Sequence, residues 1–176
     1  MRNLEFKARV SDLQGALRLT REAGGELWGD LRQTDMYFAT PTGRLKLRET
    51  AGFPAELVFY ERDESRPNRP SEYEVARSPD AEALRSVLTN ALGVLTVVRK
   101  RRTLVHVDTT RVHLDNVERL GTFVEIEVPV TDAQDEATAK ERIDSLIATL
   151  GLSWSDCIRA SYLDLMLAEL KAETPT

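Results

Sequence analysis

Three segments of the chain alternate charged and apolar residues with a period of two, over residues 3–9, 44–48 and 123–128. Successive side chains of a β-strand point to opposite sides, so this period predicts strands with one charged and one apolar face. The charged faces carry Glu5 and Lys7 in the first segment, Arg44, Lys46 and Arg48 in the second, and Glu125 and Glu127 in the third. If these faces line a common space, that space contains many cations and a few carboxylates. Such a cavity suits a polyphosphate that is bound together with divalent metal ions.

Alternation, turn residues and helix caps predict the remaining elements. We expect strands over residues 2–10, 33–39, 44–50, 56–62, 71–77, 94–107, 109–117 and 122–130, and four helices, over about 12–23, from Ser78-Pro79 to about 92, over about 133–150 and over about 155–172. Ser11 is the expected N-cap of the first helix, and Ser78 with Pro79 is expected to cap the second. Residues 63–70 are polar and proline-rich, which is typical of a mobile loop.

About eight strands joined mostly by short turns predict an α+β protein built on an antiparallel sheet that rolls into a barrel. In that barrel the polar side chains face inward, and helices cover the apolar exterior. The alternative is an open sheet whose charged face lies in water, and the alternation alone does not choose between the two. No internal repeat or low-complexity linker divides the chain, so we expect a single domain over residues 1–176, with its core at about 2–170.

The composition is that of an ordinary globular protein, with 41% hydrophobic and 30% charged residues. A net charge of −5 argues against a broad surface for nucleic acid or anionic lipid. The single cysteine, Cys157, excludes an internal disulfide, and two histidines are too few for a thiolate or imidazole zinc set. No long apolar run or signal-peptide pattern is present, so we expect a cytoplasmic location without membrane attachment.

Cations on the predicted strand faces are candidate phosphate ligands: Lys7, Arg44, Lys46, Arg48, Arg62, Lys100 and Arg102. Arginine binds phosphate oxygens as a two-pronged fork, and lysine adds a point charge. A basic face in water is the other interpretation of each residue. It is weakest for residues 44–48, because three cations on one strand face repel each other unless a partner compensates. Tyr60 shares a face with Arg62 and could contact a base or ring.

Carboxylates on the same faces are candidate ligands of Mg²⁺ or Mn²⁺, which prefer hard oxygen donors. Glu125 and Glu127 lie two apart on one strand, Asp115 lies on its expected partner strand, and Glu5 lies on the first strand. The alternative is that these acids form ordinary cross-strand ion pairs with the basic residues. His106 and His113 lack a nearby nucleophile signature, so we expect them on the surface or in strand packing. No glycine-rich phosphate loop is present.

With these residues in view, the chain resembles the CYTH superfamily of triphosphate tunnel metalloenzymes, and most of all its class IV adenylate cyclase branch. The N-terminal signature E-x-E-x-K corresponds to residues 3–7, where Asn3 replaces the first glutamate. The basic runs at 44–48 and 98–102, the block at 120–127 and Ser161-Tyr162 also match in order and spacing. The resemblance therefore covers nearly the whole chain.

The resemblance implies a closed eight-stranded tunnel in which the cations named above bind the triphosphate. It assigns the metal ions to Glu5, Asp115, Glu125 and Glu127, and catalytic roles to Glu5, Lys7 and Glu127. The expected reaction converts ATP to cyclic AMP and pyrophosphate, and the alternative is hydrolysis of inorganic tripolyphosphate or thiamine triphosphate. Because Asn3 is uncharged, a non-catalytic polyphosphate or nucleotide-binding module is a further alternative. The implied partner is a nucleoside triphosphate or polyphosphate rather than nucleic acid, and the family includes homodimers.

Overall fold

Eight antiparallel strands and four helices make up this computed structural model, which describes residues 2–61, 71–131 and 135–173. The strands are β1 (Arg2–Arg9), β2 (Glu26–Phe38), β3 (Arg44–Thr50), β4 (Ala55–Glu61), β5 (Ser71–Ser78), β6 (Val94–Val107), β7 (Thr110–Val117) and β8 (Gly121–Pro129). The helices are α1 (Leu13–Glu22), α2 (Ala81–Leu92), α3 (Glu136–Thr149) and α4 (Tyr162–Glu173), and a 3₁₀ turn spans Trp154–Asp156. None of these helices is long and apolar enough to cross a lipid bilayer.

The strands close into a barrel in the order β1-β5-β4-β3-β2-β6-β7-β8, which confirms the predicted architecture. The ladder between β2 and β6 is the most extensive, and it extends from Glu26 opposite His106 to Phe38 opposite Val94. The barrel closes where β1 meets β5, and among the described residues this contact consists of two paired positions. Antiparallel neighbours throughout mean that cross-strand partners lie directly opposite each other, and this register sets the contacts inside the barrel.

The outer face of the barrel is apolar, as the alternation predicts. The inner face carries the charged residues together with a second apolar cluster, which includes Val98, Val117 and Phe123 and packs against α4. Leu4, Phe6 and Ala8 of β1 belong to an apolar cluster that also includes Ile143 from α3, and all four are at most 1% exposed. Lys7, which points to the opposite side of β1, is also buried, at 5% exposure. The alternative of an open sheet with its charged face in water is therefore wrong. On the outer side the hydrophobic effect acts between sheet and helices, and the part of the lumen outside the second apolar cluster is left for charged groups.

Several element boundaries differ from the predicted ones for local reasons. Strand β2 begins at Glu26 rather than at residue 33, because its first half pairs with the long strand β6. A register shift between Leu27 and Gly29 interrupts the alternation there, which hides the strand in the sequence. The N-caps are Asp12 and Asp80 rather than Ser11 and Ser78. Each aspartate accepts a hydrogen bond from a backbone N–H three residues ahead, at 2.8 and 2.9 Å.

Helix α4 begins at Tyr162, so the prediction of a helix from residue 155 is wrong for its first part. Ser161 and Asp164 form a reciprocal cap: the Ser161 N–H donates to Oδ2 of Asp164 at 2.8 Å, and the Asp164 N–H donates to Oγ of Ser161 at 3.2 Å. The final part of the preceding helix matches its prediction, since α3 ends at Thr149 just before Gly151. The predicted loop over 63–70 lies outside the described residues.

Replacing Phe6 with alanine tests the position of the apolar core. The Phe6 side chain is fully buried and meets the Trp154 ring edge-on at 5.4 Å between centroids. We expect Phe6→Ala to lower the free energy of unfolding by about 3–5 kcal/mol, measured by urea denaturation. Val87→Ala on α2, where Val87 is 63% exposed, is the control and should change stability by less than about 0.5 kcal/mol. Equal effects of the two changes on the free energy of unfolding would contradict the placement of Phe6 in an apolar core between the barrel and the helices.

Candidate functional site

One side of the barrel lumen carries three cations around a single buried carboxylate, Asp35, which is 1% exposed. The guanidinium of Arg48 donates to Asp35 through Nε at 2.7 Å and Nη2 at 2.8 Å. The ammonium groups of Lys100 and Lys46 lie 3.0 and 3.3 Å from its Oδ2. Strand β2 lies between β3 and β6, so Asp35 is reached from both neighbours. We call Asp35, Lys46, Arg48 and Lys100 the basic cluster.

The basic cluster contains an excess of positive charge. Burial alone would raise the pKa of Asp35, but Arg48, Lys100 and Lys46 together hold it well below its ordinary value. Burial, reinforced by Arg48, lowers the pKa of Lys46 to about 7 against the attraction of Asp35. Burial likewise lowers the pKa of Lys100 to about 8. Three cations therefore compete for one anion, and a further anion in the lumen would stabilise all of them.

The opposite side of the lumen carries carboxylates from β7 and β8. Arg102 lies directly across from Asp115 and donates to its two oxygens at 2.7 and 2.6 Å. The same guanidinium donates to Oε2 of Glu125 at 2.9 Å, and Lys7, opposite Glu125 in register, lies 3.0 Å from its Oε1. We call Asp115, Glu125 and Glu127 the carboxylate cluster. Arg102 joins it to the basic side of the barrel.

Glu125 and Glu127 converge on the imidazole of His113. One ligand atom from each of these three residues lies within 4.8 Å of the other two. Burial would raise the pKa of both carboxyl groups, but their polar neighbours outweigh it: Lys7, His113 and Arg102 act on Glu125, and His113 and Arg111 act on Glu127. The pKa of each therefore lies below its ordinary value. Both groups are anionic at neutral pH, which is the form that a divalent cation binds.

Helix α4 places Tyr162 between the two clusters. Its hydroxyl donates to Oδ2 of Asp115 at 2.9 Å, and its ring centroid lies 4.5 Å from Nζ of Lys7 and 5.3 Å from Nζ of Lys100. Burial and the nearby carboxylates raise the pKa of Tyr162 well above its ordinary value, so the hydroxyl remains a proton donor. At the start of the same helix, Ser161 accepts a hydrogen bond from Arg44 at 2.8 Å.

The sequence-predicted site residues occupy the following places. Lys46, Arg48 and Lys100 are in the basic cluster, Asp115, Glu125 and Glu127 form the carboxylate cluster, and Lys7 and Arg102 contact that cluster. Arg44 contacts the start of α4, and Tyr60 is buried with its ring centroid 5.6 Å from Nζ of Lys46. Glu5 is half-buried on β1, opposite Glu127 in register. Arg62 lies outside the described residues. The roles assigned to these residues stay predictions.

Four residues that lie in the lumen or contact its side chains were not recognised from the sequence, or were given another role: Asp35, Arg111, His113 and Asp164. Asp35 is an isolated carboxylate in a predicted strand. The sequence indicates its position only through the period of two, which places it on the same face as Gln33 and Tyr37. His113 was expected on the surface or in strand packing, but it is 4% exposed beside two carboxylates. The period of two along β7 could have identified His113, because it places Arg111, His113 and Asp115 on the same inner face.

The family follows from comparison with known proteins. The family model of the CYTH domain matches residues 1–162, and the chain therefore belongs to the CYTH family. Members of this family act on triphosphate substrates and depend on metal ions. The predicted family is thus confirmed, and the two clusters of the barrel lumen lie within the matched residues.

Relatives cover nearly the whole chain. The Methanocaldococcus jannaschii protein named "Putative adenylate cyclase MJ0240" is 26% identical, with 94% of this chain and 98% of that protein covered. The PH1012 protein of Pyrococcus horikoshii has a similar structure, with a TM-score of 0.83, 26% identity and coverage of 94% and 99% of the two chains. HpAC1 of Hippeastrum, described as having a dominant triphosphatase activity, has a TM-score of 0.68 at 16% identity, with 96% of each chain covered.

Replacing Asp35 with asparagine tests the charge balance of the basic cluster. The change leaves three buried cations without their carboxylate, so we expect a loss of about 3–5 kcal/mol in the free energy of unfolding. Inorganic tripolyphosphate should raise the melting temperature of the variant more than that of the unchanged protein, because it replaces the missing anion. Differential scanning calorimetry with and without tripolyphosphate measures both effects.

The matched control for this variant is Glu49→Gln, which removes a carboxylate from the outer face of β3. Glu49 pairs with Arg85 at 3.0 Å, where both side chains are partly exposed. This change should cost less than about 1 kcal/mol and should not alter the response to tripolyphosphate. If Asp35→Asn behaved like this control, Asp35 would not be compensating an excess of buried positive charge in the basic cluster.

Proposed function

We propose that this protein is a metal-dependent enzyme that converts ATP to cyclic AMP and pyrophosphate. The observation that carries the proposal is the pairing of the basic cluster with the carboxylate cluster inside one barrel. A triphosphate is an anion with enough charge to engage the first cluster. A divalent cation that bridges to the phosphates would engage the second.

The basic cluster supplies the phosphate-binding groups. Arg48 presents a fork that matches two phosphate oxygens, and Lys46 and Lys100 add point charges. All three donate to Asp35 in the described structure, so their side chains are already oriented towards one point. Charge that develops on the leaving phosphate would be stabilised by these cations without a large rearrangement.

The carboxylate cluster suits a divalent metal ion of the kind on which members of the CYTH family depend. Glu125 and Glu127 are anionic, and their oxygens converge with His113 to within 4.8 Å. We assign the ion, Mg²⁺ or Mn²⁺, to Glu125 and Glu127, with Glu5 and Asp115 as further candidates. When bound, the ion would lower the pKa of the attacking hydroxyl or water and neutralise charge on the phosphates.

The two candidate reactions differ in the attacking oxygen. In cyclisation the ribose 3′-oxygen forms a bond to the α-phosphorus, the α–β phosphoanhydride bond breaks, the hydroxyl proton is released, and pyrophosphate leaves. In hydrolysis a water oxygen forms a bond to the terminal phosphorus, the β–γ phosphoanhydride bond breaks, a water proton is released, and orthophosphate and the corresponding diphosphate leave. The name of the M. jannaschii relative supports the first reaction. The triphosphatase activity described for the Hippeastrum protein supports hydrolysis as the second candidate.

Product analysis separates the candidates. The purified protein is incubated with Mg²⁺ or Mn²⁺ and, in turn, with ATP, inorganic tripolyphosphate and thiamine triphosphate. Cyclic AMP with pyrophosphate and without orthophosphate supports the cyclase, and orthophosphate from tripolyphosphate or thiamine triphosphate supports the hydrolase. Thermal stabilisation by these ligands without any product would indicate a binding module, the alternative suggested by Asn3.

Replacing Glu127 with glutamine tests the metal assignment. The glutamine retains the size of the side chain but loses the charge, so we expect metal-dependent turnover to fall about 100-fold or more. The far-UV circular dichroism spectrum should be unchanged, because Glu127 faces the lumen rather than the apolar core. Glu141→Gln on the exposed face of α3 is the control and should retain full activity. Full activity of Glu127→Gln would remove this residue from the site.

The lowered lysine pKa values predict that triphosphate binding weakens as the pH rises. Lys46 and Lys100 lose their protons near pH 7 and pH 8 in the free protein, and a bound anion would restore them. Binding should therefore take up protons, and the affinity should fall by as much as about tenfold per pH unit for each proton. Isothermal titration calorimetry with a non-hydrolysable ATP analogue in EDTA measures this affinity. Titrations from about pH 8 upward avoid protonation of the phosphate itself, whose pKa is about 6.

Lys46→Arg provides the internal comparison for this pH dependence. Arginine stays charged in this range, so the variant should bind with a smaller pH slope and less proton uptake. Lys140→Arg on the exposed face of α3 should leave the slope unchanged. A pH-independent affinity of the unchanged protein would mean that the two lysines do not bind the phosphates.

A further inference from the structure

One buried nitrogen atom on the carboxylate side of the lumen has no hydrogen-bond partner among the described residues. It is Nδ1 of His113, whose side chain is 6% exposed. Buried polar atoms in folded proteins nearly always have a partner, and an exception indicates an ordered water, an ion or a functional role. This atom points to the space between two carboxylates rather than into the apolar core, since His113 lies directly opposite Glu125 in register.

The distances around this atom fit metal coordination better than hydrogen bonding. Nδ1 of His113 lies 3.5 Å from Oε2 of Glu125 and 3.6 Å from Oε1 of Glu127. Both distances exceed the usual range of an N–H···O hydrogen bond. Two ligand atoms that share an ion, with bonds of about 2.0–2.2 Å, lie about 2.8–3.1 Å apart at adjacent octahedral positions and about 3.3–3.6 Å apart in tetrahedral geometry. The observed separations match the tetrahedral spacing and are wider than the octahedral one, so the three side chains would move slightly closer around an octahedral ion.

The neighbouring cations hold the two carboxylates in this orientation. Arg111, opposite Glu127 in register, donates to its Oε2 through Nε at 3.1 Å and Nη2 at 2.9 Å, which turns Oε1 towards His113. Lys7 contacts Oε1 of Glu125 at 3.0 Å and leaves Oε2 on the side of the imidazole, where Arg102 also reaches it. Partners that fix the second oxygen of a carboxylate are typical of the outer shell of a metal site.

We propose that Nδ1 of His113 is a ligand of the same metal ion as Glu125 and Glu127, with its proton on Nε2. This inference rests on the proposed metal site and adds a nitrogen donor to it. Imidazole is a better ligand for first-row transition metals than for Mg²⁺, which prefers oxygen donors and water. The site therefore selects a transition metal such as Mn²⁺ over Mg²⁺, and His113 is the residue that determines this preference.

Pulsed EPR of the unchanged protein with one equivalent of Mn²⁺ and no nucleotide tests the ligand directly. We expect a ¹⁴N coupling from a directly bound imidazole. The coupling should disappear in His113→Gln and persist in His106→Gln, which changes the other histidine of the chain. Competition titrations should give at least roughly tenfold weaker Mn²⁺ binding for His113→Gln and a smaller change for Mg²⁺, so that the selectivity for Mn²⁺ falls.

The possible results separate this inference from the proposed function. If Mn²⁺ binds, depends on Glu127 and shows no ¹⁴N coupling in the unchanged protein, His113 is only an ion-pair partner and the inference is overturned while the metal-dependent enzyme stands. If Mn²⁺ does not bind to the unchanged protein at all, both proposals fail. The spectrum of the unchanged protein decides the matter even if His113→Gln does not fold.

Discussion

Electrostatic balance inside the barrel is the constraint on which the site depends. Each buried charge costs several kcal/mol of desolvation unless a partner of opposite sign lies close to it. The lumen meets this requirement by placing opposite charges directly across neighbouring strands, as with Arg102 and Asp115, and Lys7 and Glu125. The balance is incomplete around Asp35, which has three cationic partners. That local excess of positive charge, and not the overall charge of −5, makes the lumen receptive to a polyanion.

The same geometry separates the two kinds of chemistry. Strands β3, β2 and β6 are adjacent in the barrel and carry the basic cluster, whereas β7 and β8 carry the carboxylates. Arg102 contacts carboxylates on both of these strands, and Tyr162 reaches both sides from α4. A bound triphosphate and a metal ion would therefore meet at the boundary between the two sides. Hydrogen-bond register, rather than any one motif, sets this division.

The sequence predicted those parts of the site and fold that repeat a pattern. Three cations with a period of two, at 44–48, identified an inner face because repeated like charges require compensation. Asp35 and His113 were not placed in the site, because a single polar residue in a strand carries no such signal without knowledge of its cross-strand neighbours. For the fold, regular alternation predicted most strands, but the irregular register near Gly29 concealed the first half of β2. The start of α4 was missed although Ser161 and Asp164 have the spacing of a capping box.

The location of the largest apolar cluster outside the barrel has an evolutionary consequence. In most small domains a residue near the centre contributes both to packing and to any chemistry nearby, so a new activity disturbs stability. Here Phe6 and Ile126 anchor helices on the outer side, while their neighbours Lys7 and Glu127 occupy the inner side of the same strands. The charged inner positions can therefore diversify, as long as their net charge is conserved, without repacking the outer scaffold. One fold can accordingly host relatives with different products, and catalytic divergence becomes separable from folding.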